Sequence, residues 1–212
     1  MESNTTSLDD IREIRRLMEQ SSRFLSLSGL SGVVAGLIAL LGAGAAWWYL
    51  DEGNLSSAEN FRMMNYPENV QVIRFLIYDA LIVLALALLS GYYFSKRKAR
   101  RMGVKFWNSA ARKMIINLFI PLVTGGLVII VLILRSDLNY LAPFTLVFYG
   151  LGLVNSGKYS YTYINYLGIS EIILGILALV FINHGLLFWA AGFGVLHIIY
   201  GLVLYNKYER VK

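Results

Sequence analysis

The sequence predicts an all-α membrane protein: a bundle of six transmembrane helices built from three antiparallel helical hairpins, preceded by an amphipathic N-terminal helix. Three observations lead there. Of the 212 residues, 57% are hydrophobic and 15% charged, against roughly 45–50% and about 25% in a soluble domain. Apolar stretches of about 20 residues recur, each long enough to cross a hydrocarbon core of roughly 30 Å. The basic residues gather between alternate stretches, as they do in cytoplasmic loops.

Residues 1–24 form the first region. Ser7 can cap a helix over residues 7–22, with Asp10 as a short capping-box partner and Asp9 in the first turn. Leu8, Ile11 and Met18 recur at helical spacing, while Arg12, Arg16 and Glu19 point elsewhere. Such a helix either lies in the headgroup plane or packs on the protein's own cytoplasmic face. No apolar core follows a basic start, so the segment does not read as a signal peptide.

The transmembrane domain covers residues 25–212, with spans at about 25–50, 72–95, 114–134, 141–157, 163–182 and 186–205. Trp47, Trp48 and Tyr49 close the first span as an interfacial anchor. Arg12, Arg15, Arg16 and Arg23 precede it. The stretch 96–113 carries Lys96, Arg97, Lys98, Arg100, Arg101, Lys105, Arg112 and Lys113 with no acid, and Lys207, Arg210 and Lys212 follow the last span. The opposite loops hold Arg62 and Arg135 beside Asp51, Glu52, Glu59, Glu68 and Asp137. Every loop therefore predicts cytoplasmic N- and C-termini.

Several chemistries are excluded. There is no cysteine, hence no disulfide, thiolate metal site or cysteine nucleophile. No P-loop, nucleophile elbow or metal-spaced His/Asp/Glu cluster occurs. No catalytic residue, metal or cofactor is predicted, and the basic residues, set beside apolar spans, do not read as a nucleic-acid surface.

An internal repeat organises the spans. Gly152-Leu153-Val154 and Lys158-Tyr159 match Gly201-Leu202-Val203 and Lys207-Tyr208 at an offset of 49 residues, and Gly126 matches Gly175. The segment from Gly29 to Leu40 parallels that from Gly168 to Leu179. The glycine-spaced pattern Gly175-Ile176-Leu177-Ala178-Leu179, with Gly194-Val195-Leu196-His197-Ile198-Ile199-Tyr200-Gly201, resembles the HdeD-like six-helix bacterial membrane proteins. Ser26-Leu27-Ser28-Gly29-Leu30-Ser31-Gly32 is similar to a run in uncharacterised bacterial six-helix proteins. The resemblance implies a small inner-membrane protein linked to envelope or acid stress, and it carries over no site residue.

Polar residues inside apolar spans are the candidate site. Glu171 is costly at mid-membrane, so it should face protein or water. If the chain turns near His184, Glu171 and His197 are each thirteen residues from the turn and share one depth. They form either a structural pair that fixes helix register, or a proton relay or ligand site. Asp79 is a second candidate, while Arg74 can snorkel outward. Pro121 breaks a main-chain bond in the third span, and Asn155 should lie near enough to satisfy the freed carbonyl. Gly32 and Gly36, with Gly126, Gly175 and Gly201, mark close helix packing, within the chain or in a homo-oligomer. Lys96, Arg97, Lys98, Arg100 and Arg101 are candidate contacts for anionic lipid headgroups.

Two functions are expected. The first is a non-enzymatic inner-membrane protein acting through assembly or partner binding in envelope stress or signalling. The second is a small proton-coupled transporter or channel in which Glu171, His197 and Asp79 line a polar path.

Overall fold

Long uncharged runs of Leu, Ile, Val and Ala give the main chain no partner but itself in lipid, so each closes into a helix. The computed structural model describes residues 23–52 and 68–210, and six helical stretches in it are long and apolar enough to cross a membrane. The helices are α1 (Gly29–Glu52), α2 (Glu68–Arg101), α3 (Ser109–Leu134), α4 (Leu141–Gly157), α5 (Thr162–Val180), α6 (Gly185–Trp189) and α7 (His197–Tyr208). A π-helical stretch, Ala190–Leu196, joins α6 to α7, so the sixth span is one composite rod. Short 3-10 turns at Leu138–Tyr140 and Ile182–His184 link α3 to α4 and α5 to α6. The described residues contain no strand. The amphipathic helix expected over 7–22 and most of the outer loop lie outside the described residues.

Several boundaries differ from the sequence reading. The first helix begins at Gly29 rather than near Leu25, because residues 23–28 form an irregular strap with outside partners. The Phe24 N–H donates to the Tyr159 carbonyl at 2.6 Å, and the Ser160 hydroxyl donates to the Phe24 carbonyl at 3.0 Å. Most of the basic stretch 96–113 is helix, not loop. α2 runs on to Arg101, and Asn108 caps α3 by accepting from the Ala111 N–H at 2.8 Å. Only residues 102–108 remain as a connection, with Gly103 at φ +66°, a conformation that suits glycine.

The helices pack as two wings. α2 leans on α1 and α1 on α7 in one wing; α3 leans on α4 and α4 on α5 in the other. α6 and the π stretch bridge them. α1 and α2 pack on one another, as do α3 and α4. The third expected hairpin is different: α5 packs chiefly on α4, and the sixth span chiefly on α1. Glycines account for both partnerships. A Cβ on Gly150 would stand 2.6 Å from the Gly168 carbonyl oxygen, so α4 and α5 cross backbone to backbone. A Cβ on Gly32 would meet the Gly201 Cα at 3.2 Å, and one on Gly36 the Gly194 carbonyl oxygen at 2.6 Å. The Gly32–Gly36 pair is thus occupied by the chain's own sixth span.

Gly175 and Gly201 are also seam residues: a Cβ on Gly175 would stand 2.9 Å from the Pro143 carbonyl oxygen, and one on Gly201 2.7 Å from the Gly29 carbonyl oxygen. Gly126 is not, since nothing lies within 4 Å of a Cβ placed there. Its neighbour Gly125 faces Phe148 instead, because one residue along a helix turns the side chain to another face. The outer faces of α2 and α3 carry Leu81, Ile82, Ile120 and Leu127, each more than half exposed. Apolar surface on this scale belongs against lipid chains.

Candidate functional site

The two wings enclose a cavity of about 640 Å³, inside the roughly 300–1,000 Å³ range of ligand sites. Its walls are overwhelmingly apolar, with Ala35 from α1, Ala87 and Gly91 from α2, Leu118 from α3 and Leu153 from α4. α2 and α3 do not pack closely on one another. Leu88 of α2 and Phe119 of α3 line the cavity while about half exposed, which puts its mouth between these two helices. Among the described residues, no charged side chain lines it.

Among the polar residues of the lining, Tyr149 on α4 and His197 at the start of α7 are bonded to one another. The Tyr149 hydroxyl lies 2.7 Å from His197 Nε2. His197 Nδ1 lies 3.0 Å from the Gly192 carbonyl oxygen. A carbonyl only accepts, so Nδ1 carries the proton, Nε2 is the acceptor, and Tyr149 donates to it. The carbonyl belongs to the π stretch, a distortion frequent at functional sites. Phe193 braces the pair, its ring 4.9 Å from Tyr149 and 6.0 Å from His197, centroid to centroid.

Behind the imidazole stands Glu171, at the middle of α5 with no exposed surface. Its Oε1 is 3.4 Å from His197 Nδ1, and neither carboxyl oxygen has a hydrogen-bond partner. A Cβ on Gly192 would collide with this carboxyl, so the glycine makes the room that Glu171 occupies. Glu171, His197 and Tyr149 thus form a short chain from the buried interior to the cavity wall. Buried polar atoms without partners are rare enough to need a reason.

A second polar cluster closes the end of the bundle that bears the strap. Glu209, just past α7, accepts from the Ser28 hydroxyl at 2.9 Å and from the Gly29 N–H at the start of α1. The Lys98 ammonium donates to the Leu27 carbonyl at 2.7 Å, the Tyr161 hydroxyl at 3.1 Å and Glu209 at 3.3 Å. The Tyr161 hydroxyl in turn donates to the Leu25 carbonyl at 2.5 Å. Burial pushes the Tyr161 phenol above its ordinary range, and the Glu209 carboxylate adds to the effect, so it stays a donor. Lys98 is 8% exposed. Expected at lipid headgroups, it is instead consumed by this cluster. Arg97, Arg100 and Arg101 are exposed, and Lys96 bonds the Tyr92 hydroxyl at 2.7 Å.

Asp79 stands apart. Its carboxyl faces Gly42 of α1, with both oxygens 3.4 Å from where a Cβ there would sit, and it does not line the cavity. The polar path expected through Glu171, His197 and Asp79 therefore does not run through one cavity. Asn155 is spent on the main chain of α3, donating to the Asn117 carbonyl at 2.9 Å. Sequence reasoning missed Tyr149 and Glu209. Tyr149 is one of fourteen tyrosines and carries no pattern. Glu209 lay beyond the last span, where an acid looks like ordinary tail.

Compared with known proteins, the chain matches no family model, no curated protein and no solved structure. The likeness to HdeD-like proteins rests on its glycine-spaced segments alone.

Proposed function

We propose that the chain is a non-enzymatic, multi-pass protein of the bacterial inner membrane, both termini cytoplasmic, which takes an apolar molecule from the bilayer into its cavity. The observation that carries this reading is the cavity itself: apolar walls from both wings, with a mouth between two lipid-facing helices. A site reached from lipid selects ligands already dissolved there. Partner binding in envelope stress, the setting implied by the HdeD-like resemblance, is compatible with such a sensor.

The test is to purify the protein in mild detergent and identify co-purifying apolar molecules by mass spectrometry. Gly91 lines the cavity and has nothing within 4 Å of a Cβ, so Gly91→Trp should fill the space without disturbing helix packing. A molecule retained by the wild type and lost from Gly91→Trp supports the reading. Retention of the same molecules by both proteins overturns it. The second reading, a proton-coupled transporter or channel, is favoured by the Glu171–His197–Tyr149 chain and opposed by the separate position of Asp79.

A further inference from the structure

We infer that the cavity's ligand is an uncharged amphiphile bearing a hydroxyl group, which donates a hydrogen bond to the Tyr149 oxygen. The inference rests on the cavity being a ligand site and adds the chemistry of the head group.

Charge is the first constraint. Among the described residues, the lining contains no Asp, Glu, Lys or Arg. A phosphate or ammonium head placed among these walls would be desolvated without a counter-ion, at a cost no hydrogen bond from a serine offsets. Lys98 and Glu209 do not help, because they are paired with each other and with the strap. Glu171 does not reach the cavity and is walled off by the His197 ring.

Hydrogen-bond direction is the second. The Gly192 carbonyl fixes the imidazole proton on Nδ1, so the Tyr149 proton is committed to Nε2. What remains at the Tyr149 oxygen is acceptor capacity without a donor. Two other lining hydroxyls are committed as donors, Ser31 to the Ser28 carbonyl at 2.5 Å and Ser156 to the Leu153 carbonyl at 3.2 Å. The pair therefore offers a lone pair, and a ligand complements it by supplying an O–H. A ketone or ester alone supplies only another acceptor.

The probes are 1-oleoylglycerol and 1-oleoyl lysophosphatidic acid, which share one acyl chain and differ in a phosphate, with methyl oleate as the acceptor-only control. Equilibrium binding of each labelled lipid to purified full-length protein in maltoside micelles reads the preference. Expected are 1-oleoylglycerol binding at least tenfold tighter than either of the others, and a loss of about tenfold for that lipid alone in Tyr149→Phe. Gly91→Trp should abolish binding of all three. Equal binding of the phosphate-headed and glycerol-headed lipids, or full binding by Tyr149→Phe, overturns the head-group inference while leaving the cavity reading standing. Binding of all three unchanged in Gly91→Trp overturns the cavity reading itself. If Tyr149→Phe does not fold, the wild type decides: methyl oleate binding at least tenfold more weakly than 1-oleoylglycerol supports the inference, and equal binding of the two overturns it.

Discussion

The Asn155 amide donates to the Asn117 carbonyl at 2.9 Å, and that carbonyl is the one Pro121 leaves without an N–H four residues on. The pairing ties α4 to the inside of α3 where α3 is weakest. Asn155→Leu should destabilise the protein by about 1–3 kcal/mol, the usual cost of an unsatisfied buried acceptor. In a Pro121→Ala background the restored N–H takes over the carbonyl, and the cost of Asn155→Leu should fall by at least half. A double-mutant cycle on unfolding in detergent reads this; identical costs in both backgrounds would remove the proposed link.

The glycine seams give a paired prediction. On Gly36 a side chain must displace the Gly194 carbonyl and Ile198, so Gly36→Leu should cost several kcal/mol or prevent folding. Gly126→Leu, on an open face, should change the thermal midpoint by no more than about 3 °C. Comparable losses in both variants would mean that Gly126 faces a second copy of the chain.

Lys98 and Arg97 are neighbours with opposite fates. The Lys98 side chain is 9% exposed and its partner Glu209 11%. Removing one member of a nearly buried pair leaves the other charge uncompensated, so Lys98→Met should cost about 3 kcal/mol. Arg97→Met, on an exposed face, should stay within about 0.5 kcal/mol. The double variant Lys98→Met with Glu209→Gln should be less damaged than the sum of its parts. Additive losses would argue that the pair is incidental to the strap.

Orientation has its own check. Reporter fusions after Lys212 and within residues 102–108 should give a cytoplasmic signal, and a fusion near Ser57 an external one, because the basic residues gather on the first side. A cytoplasmic signal from Ser57 would overturn the six-span arrangement.

Span positions were legible because hydropathy reports what each helix faces. The fourth expected span, 141–157, coincides with α4. The depth argument for Glu171 and His197 also needed only counting: the turn lies at Ile182–His184, and the two side chains stand 3.4 Å apart. Helix partnership was not legible in the same way. Hairpin reasoning pairs neighbours in sequence, whereas Gly201 finds Gly29 and Gly32 at the far end of the chain. The headgroup expectation was wrong for Lys98 for a related reason. A basic run beside a span reads as headgroup contact, and the acid that pairs with this lysine lies 111 residues away.

The last prediction concerns Glu171. Its carboxyl is enclosed, 3.4 Å from His197 Nδ1, and makes no hydrogen bond that an amide would lose. Glu171→Gln keeps the shape that Gly192 accommodates, so the thermal midpoint should move by no more than about 3 °C. Binding of 1-oleoylglycerol should also survive, because the Gly192 carbonyl alone fixes the imidazole tautomer. Both results together make Glu171 a group that fills the space beside Gly192, with His197 held by the Gly192 carbonyl rather than by the carboxyl. A proton-carrying role requires a different outcome. In vesicles containing a pH-sensitive dye, wild-type protein would have to move protons, and Glu171→Gln, equally stable, would have to abolish that movement, since an amide cannot titrate. A fall in the midpoint of about 10 °C or more would contradict both roles, because it would mean the carboxylate holds a contact absent from this geometry.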